Sequence, residues 1–268
     1  MKVGVSSASL FMRKDNVDAL PAFNALGIKT AEVFLSSFSE YGKAYGKRLA
    51  KKKGEVDVYS VHALNTQFEP QLFNRHDGVK RDAYAVLKRV MESAKELGAT
   101  RYTFHGVTRA KRNARSGKND DFAWMTACFQ DLTDFCKDYG VGVCLENVEW
   151  STYNRPGVFQ RLATAVPDLY GVLDIKQARI SEYPYEAYLT EMGARLSHVH
   201  VSDIDERGKM CLPGQGIFDF TTLIKRLVDV GFDGPLLIEV YQNDYQKEEE
   251  LKTACNFLQE LVDKYALR

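Results

Sequence analysis

The chain has 268 residues, 45% of them hydrophobic and 27% charged, with lysine plus arginine and aspartate plus glutamate at 36 each. That composition excludes a disordered chain, and the balanced charge excludes a global field that would recruit nucleic acid or an anionic membrane surface. From Met1 to Arg13 there is no sustained apolar core, and nothing later approaches the ~20 apolar residues of a membrane span, so a cytoplasmic protein is expected.

Short β-rich runs alternate with amphipathic helical stretches along the whole chain, the pattern of parallel strands joined by helical crossovers. Eight strands are predicted, at Lys2–Ala8, Lys29–Leu35, Val56–Ala63, Arg101–Gly106, Gly142–Val148, Tyr170–Ile175, Leu196–Ser202 and Pro235–Tyr241. Between the third and fourth, Val86, Leu87, Val90, Met91, Ala94 and Leu97 share a helical face that stops at Gly98. Before the eighth, a helix running from Thr221 through Val230 ends in Gly231-Phe232-Asp233-Gly234-Pro235, a glycine-rich stop and turn. The length also fits two smaller domains, but no Pro/Gly/Ser-rich linker divides the chain. Residues 1–268 therefore read as one domain, an α/β protein closed into a (β/α)8 TIM barrel, whose usual length is roughly 250 residues.

Five cysteines, Cys128, Cys136, Cys144, Cys211 and Cys255, are odd in number and form no Cys-x-x-Cys pair, which predicts reduced thiols without a catalytic role. The polar residues at the ends of the strands carry more information, because a TIM barrel places its active site at that face. His62 ends the third strand, His105 the fourth, Glu146 the fifth, Asp174 the sixth, His200 the seventh and Glu239 the eighth. Taken singly, each has an ordinary structural explanation. As a set, two glutamates, an aspartate and a histidine converging on one rim would repel and desolvate one another unless a cation held them, so Glu146, Asp174, His200 and Glu239 are predicted to bind one divalent metal. Three carboxylates and an imidazole suit Mn²⁺, taken as first choice, and also Mg²⁺, Co²⁺, Fe²⁺ or Zn²⁺. His198 lies on the same strand face as His200 but deeper, and is expected to pack behind it.

Leu145-Glu146-Asn147, Leu173-Asp174, His198-Val199-His200-Val201-Ser202-Asp203, Pro213-Gly214-Gln215-Gly216-Ile217-Phe218-Asp219 and Ile238-Glu239, in this order and spacing, resemble the xylose-isomerase-like superfamily of sugar isomerases and epimerases. The resemblance spans nearly the whole chain. It implies the same four metal ligands, with His62 and His105 lining a pocket for a small carbohydrate, and Glu146 and Glu239 exchanging protons on opposite sides of an enediolate. Lys176, Gln177 and Arg207 are further candidate substrate contacts. Many relatives carry histidine where this chain has Gln177. The repair-endonuclease branch also uses an Asp-x-His pair where this chain reads Gly208-Lys209-Met210-Cys211-Leu212-Pro213. Without those ligands a three-metal phosphodiesterase centre cannot be assembled, so a one-metal isomerase or epimerase is expected over DNA cleavage. The alternatives are a metal-dependent dehydratase or lyase of a sugar derivative and, behind it, a repair-endonuclease-like phosphodiesterase or a non-catalytic barrel that binds a sugar or a partner protein. Arg109, Lys111, Arg112, Arg115 and Lys118 follow the fourth strand and read either as a clamp for an anionic substrate or as a solvated loop or interface arm. No membrane partner is expected, and a homo-oligomer is compatible with the sequence.

Overall fold

The computed structural model describes residues 1–64, 68–107 and 119–266. Eight parallel strands close into a barrel: β1 (Lys2–Ser6), β2 (Thr30–Leu35), β3 (Asp57–Ala63), β4 (Arg101–Phe104), β5 (Gly142–Glu146), β6 (Tyr170–Asp174), β7 (Leu196–Val201) and β10 (Pro235–Ile238). Each pairs with its sequence neighbours in the barrel, and β1 pairs with β10 from Lys2↔Pro235 to Val5↔Ile238 to complete the ring. The TIM-barrel expectation is met.

The helices lie in the crossovers: α1 (Asn16–Ala25), α2 (Lys43–Lys52), α3 (Asp77–Leu97), α4 (Asn119–Lys137), α5 (Val158–Ala165), α6 (Ile175–Ile180), α7 (Tyr185–Met192), α8 (Phe220–Asp229) and α9 (Glu249–Ala266). On α3 the predicted face is the buried one: Leu87, Val90, Met91, Ala94 and Leu97 lie inward, with Val86 half-buried at its edge. The outward side chains of the strands, among them Val33, Val61, Tyr102, Leu145, Leu173 and Val199, are fully buried beneath the helices. This shell between strands and helices forms the apolar core, while the inward positions carry the polar residues taken up below. Among the described residues, no helix is long and apolar enough to cross a membrane.

Six of the eight predicted strands run one to three residues too far at their C-terminal ends, while β2 and β3 end where predicted, at Leu35 and Ala63; β1 stops at Ser6, β4 at Phe104, β5 at Glu146, β6 at Asp174, β7 at Val201 and β10 at Ile238. The backbone leaves the sheet there to begin the loops that shape the barrel mouth. After β1, Ser7–Leu10 form a 3-10 turn, and after β6 the Asp174 carboxylate caps α6 by accepting from Gln177 N at 2.9 Å. A second sheet, absent from the sequence reading, is a two-stranded hairpin of β8 (Asp203–Ile204) and β9 (Met210–Cys211). Strands this short carry no periodic signal.

Gly4 and Gly98 are needed for different reasons. A Cβ on Gly4 would fall 2.2 Å from the Thr30 carbonyl oxygen, so β1 reaches β2 only because position 4 has no side chain. Gly98 sits at φ +78° with open space around it and ends α3 in the left-handed conformation. Gly98→Ala should cost roughly 1–2 kcal/mol, the left-handed penalty alone. Gly4→Ala should cost at least as much as the upper end of overpacking, about 3 kcal/mol, because backbone must move. Urea unfolding followed by circular dichroism checks this order, and a smaller loss for Gly4→Ala than for Gly98→Ala would contradict it.

Candidate active site

Side chains alternate along a strand, so the inward positions nearest the C-terminal ends converge on the barrel mouth. The structure gathers all six predicted rim residues there. His200 Nδ1 lies 3.2 Å from Glu146 Oε1 and 3.4 Å from Glu239 Oε2. His62 Nε2 lies 2.7 Å from His105 Nε2, and His105 Nε2 lies 3.7 Å from Glu146 Oε2. Glu146, Asp174 and His200 each offer a ligand atom within 4.8 Å of the others. Glu239 joins them through His200 Nδ1 and forms a second such group with Glu32 and His62.

Two buried glutamates in this region were not singled out from the sequence. Glu32, on β2, is fully buried and accepts from Ser6 Oγ at 3.1 Å, Ser60 Oγ at 2.7 Å and Thr103 Oγ1 at 2.6 Å. Glu69, in the 3-10 turn Glu69–Phe73 after β3, accepts from Tyr102 Oη and lies 3.1 Å from His105 Nδ1. Glu69 therefore orients the His105 ring from behind, leaving Nε2 toward the mouth. The signal for Glu32 was a lone charge in the apolar run Thr30-Ala31-Glu32-Val33-Phe34-Leu35. Glu69 sits in a turn whose direction the sequence does not state.

Burial opposes ionisation throughout the cluster, yet neighbouring opposite charges outweigh it at most positions. Against burial, the charge of His200 and the nearness of the His62, His198 and His200 ring nitrogens, at 3.4, 3.5 and 3.2 Å from its oxygens, hold Glu32 well below the usual carboxylate range. Glu146 is lowered in the same way, by its hydrogen bond with His200 and the charges of His200, His105 and His62. Burial pushes Asp174 up to about 6, with Glu146 and Glu239 adding to the rise and Lys176 opposing it. Burial would lower His62, but Glu32, Glu239 and Glu146 raise it to about 9. His200 is raised well above its ordinary value, because Glu239, Glu32 and Glu146 overcome its burial. Three buried polar atoms in this cluster, His62 Nδ1, His200 Nε2 and Glu239 Oε2, lack an aligned hydrogen-bond partner. Of these, Glu239 Oε2 lies beside His200 Nδ1, and an orphaned carboxylate oxygen among carboxylates and an imidazole is donor chemistry that fits a divalent cation.

The remaining candidates divide. Lys176 is buried, with Nζ 3.8 Å from Asp174 Oδ2 and 4.7 Å from the centre of the Tyr241 ring. Gln177 turns its amide oxygen to Glu149 N at 3.2 Å, tying α6 to the loop after β5. Arg207 is exposed at the tip of the β8–β9 hairpin, where its backbone N–H bonds Asp205 Oδ1 at 2.9 Å. His198 packs behind His200 as expected, with ring centres 5.2 Å apart. The basic segment Arg109–Lys118 lies outside the described residues. The five thiols are unpaired, and burial pushes Cys144 and Cys255 up to about 12.

A cleft of about 230 Å³ between α6 and the hairpin is lined by Lys176, Arg179, Tyr185, Ser202 and Phe218, so Lys176 belongs to both cleft and cluster. A larger cavity of about 380 Å³, lined by Lys2, Thr30, Asp57 and Arg101, lies where the strands begin, the face of a barrel that serves stability.

An eight-stranded parallel barrel with acids, imidazoles and a lysine gathered at its C-terminal mouth defines a TIM barrel with an enzyme's polar mouth. The chain belongs to the xylose isomerase-like TIM barrel family, whose model matches residues 20–261. It is 23% identical over 274 residues to inosose dehydratase of Serratia proteamaculans (strain 568), covering 90% of this chain and 91% of that one. In fold it resembles D-psicose 3-epimerase from Clostridium cellulolyticum H10 in complex with D-tagatose, with a TM-score of 0.80, 16% identity and coverage of 98% and 99%. It likewise resembles the IOLI protein in a structure with a bound zinc atom, with a TM-score of 0.77, 18% identity and coverage of 99% of each chain.

The wall of the site beside β7 depends on one carboxylate. Asp203 is buried and accepts from four backbone amides, Ile204 N at 2.8 Å, Phe218 N at 2.9 Å, and Gly214 N and Gly216 N at 3.0 Å each. Asp203→Asn would turn an amide NH₂ toward donors, leaving buried N–H groups unpaired at about 1–3 kcal/mol each. Amide hydrogen exchange should then lose protection at Gly214, Gly216 and Phe218 while the barrel strands keep theirs. Unchanged protection at those three amides would refute the role given to Asp203.

Proposed function

We propose that this chain is a divalent-metal-dependent epimerase or isomerase of a sugar or sugar-like substrate, working by proton transfer through an enediolate. The observation that carries it is the convergence of Glu146 and Glu239 on His200 Nδ1, at 3.2 and 3.4 Å, with Asp174 beside them. Glu146, Asp174, His200 and Glu239 would hold the metal, with Mn²⁺ the first choice and Zn²⁺ supported by the fold neighbour that carries it. When bound, such an ion supplies Lewis-acid stabilisation of negative charge developing on the substrate's oxygens.

The chain's own residues supply the rest. One of the two glutamates, as the carboxylate, removes the weakly acidic proton beside the carbonyl, and the other delivers to the opposite face of the planar intermediate a proton that it has taken from solvent. His62, held protonated by its carboxylate neighbours, and His105, oriented by Glu69, face the mouth where a substrate's oxygens would lie. Lys176 adds a fixed positive charge on the side of Asp174 and opens onto the cleft beside α6. A substrate with hydroxyl or acidic oxygens suits that lining.

Dehydration is the second reading, favoured by the match to inosose dehydratase over nine-tenths of both chains. The first step is the same proton abstraction, after which hydroxide leaves the neighbouring carbon and takes up a proton. Product mass separates the two, since epimerisation conserves it and dehydration loses one water.

With Mn²⁺ added, turnover of a panel of ketoses and keto-inositols in deuterated water should place deuterium on the carbon beside the carbonyl. Glu146→Gln and Glu239→Gln should retain some metal and lose ~10²–10⁴-fold in kcat, the usual cost of a missing general base. Near-normal turnover in both metal-loaded variants, or product free of label at short times, would rule out the two-glutamate mechanism.

The site should also bind metal in exchange for protons. His200 keeps its proton to higher pH than a free imidazole, and metal must displace it, so apparent affinity should rise roughly tenfold per pH unit until the pH passes the raised pKa of His200. Below about pH 6, where Asp174 also protonates, the dependence should steepen. Titration calorimetry in buffers of different ionisation heat reads the proton release directly, and metal uptake with no proton released near pH 7 would contradict this account.

A further inference from the structure

His200 stands between two sets of carboxylates, and its two nitrogens could serve two different cation sites. Above it lie Glu146, Asp174 and Glu239; on the other side Glu32 and His198 form a second group whose ligand atoms also lie within 4.8 Å of one another. We infer that Glu32 is a positioning residue: it holds the Nε2–H edge of His200, so that Nδ1 alone is offered to metal and the lower group binds none. This inference rests on the metal site proposed above.

The argument is a count of hydrogens. An ionised carboxylate only accepts, so Ser6, Ser60 and Thr103 must all donate their hydroxyl hydrogens to Glu32. Thr103 has a single hydroxyl hydrogen, already given to Glu32, yet its oxygen also lies 3.0 Å from His198 Nε2. His198 Nε2 must therefore be the donor of that pair. It has no lone pair left for a metal, while its Nδ1 takes the Ser197 hydroxyl at 3.1 Å. The lower group thus lacks a free imidazole nitrogen on His198, and its carboxylate is surrounded by hydroxyl donors.

His200 Nε2 lies 3.2 Å from Glu32 Oε1, within reach of that charge though not aligned for a linear hydrogen bond. A hydrogen on Nε2 is stabilised there, whereas a bare Nε2 would set a lone pair against a carboxylate. An imidazole ligates through its unprotonated nitrogen, and the acceptor on the other nitrogen fixes tautomer and ring angle. Held in this way, His200 points Nδ1 at Glu146 and Glu239. Ser6, Ser60 and Thr103, from three different strands, in turn fix the plane of the Glu32 carboxylate.

The test uses the full-length protein loaded with Zn²⁺, with long-range ¹H–¹⁵N correlation at the histidines and chelator competition for affinity. In the wild type, the His200 spectrum should show Nδ1 bound to metal and Nε2 carrying hydrogen, and His198 should keep its Nε2 hydrogen. Glu32→Gln should weaken Zn²⁺ binding by roughly 10–100-fold, the usual effect of removing the acceptor behind a ligating histidine. Metal on His200 Nε2, loss of the His198 Nε2 hydrogen on loading, or wild-type affinity in Glu32→Gln would each overturn the inference. Should Glu32→Gln fail to fold, the wild-type spectrum decides alone. A wild type that takes up no Zn²⁺ sinks the metal site itself and this inference with it, a result distinct from metal bound at the wrong nitrogen.

Discussion

Four carboxylates, from Glu32, Glu146, Asp174 and Glu239, meet within one barrel mouth, and their mutual repulsion is the constraint to which the surrounding structure answers. Two like charges ~4 Å apart repel by about 4 kcal/mol at an effective dielectric of 20, and burial removes the water that would screen them. The protein compensates with protons and one lysine. His62 and His200 are held charged, and Lys176 stands at Asp174 with its own pKa raised by Asp174 and Glu239 against burial. On the function proposed above, a divalent ion would take the place of the His200 proton in this set of charges. The same arrangement explains why Asp174, with Lys176 on one side and two glutamates on the other, is the carboxylate that burial raises.

The charges also shape the barrel interior. A TIM barrel ordinarily fills its centre with branched aliphatic side chains. Here Ser6, Glu32, Ser60, Thr103 and His198 occupy that space, all buried and all hydrogen-bonded among themselves. A polar layer of this kind contributes little to stability, since each hydrogen bond mostly offsets the desolvation of its own partners. It contributes direction: the groups above it rest on partners with fixed donor and acceptor roles. Stability falls instead to the apolar shell outside the strands, where Val33, Val61, Leu145 and Leu173 lie fully buried.

This division explains how much of the molecule was legible in the sequence. The strand and helix alternation was readable because the outer shell enforces apolar periodicity on every element. His62, His105, Glu146, Asp174, His200 and Glu239 were readable because each follows a recognisable strand at its functional end. Glu32 was not, since it lies in the middle of a strand and only the closed barrel shows which of two buried faces points inward. Glu69 was hidden by its turn, and the β8–β9 hairpin by its brevity. Lys176 and Gln177 were named as candidate substrate contacts, yet the sequence could not show that the lysine turns to Asp174 while the glutamine's oxygen turns to the backbone of Glu149.

That last contrast bears on what distinguishes this chain within its family. Proton abstraction beside a carbonyl requires only the acids, the imidazoles and a cation, and it leads equally to epimerisation, isomerisation or loss of water. The outcome is set by which substrate carbon is held against which glutamate, and hence by the residues that grip the rest of the molecule. In this chain the loops around the mouth are tied together by polar contacts. Arg13 bonds the carbonyls of Gln242, Tyr245 and Gln246 and stacks on the Tyr245 ring at 3.9 Å, joining the loop after β1 to the loop after β10. Asp203 performs the same service for the loop after β7, and Gln177 for the loop after β5. With the walls held by these polar contacts and Lys176 lining the cleft beside α6, the proposed function would place selectivity in the loops and the shared proton chemistry in the acids and imidazoles beneath them.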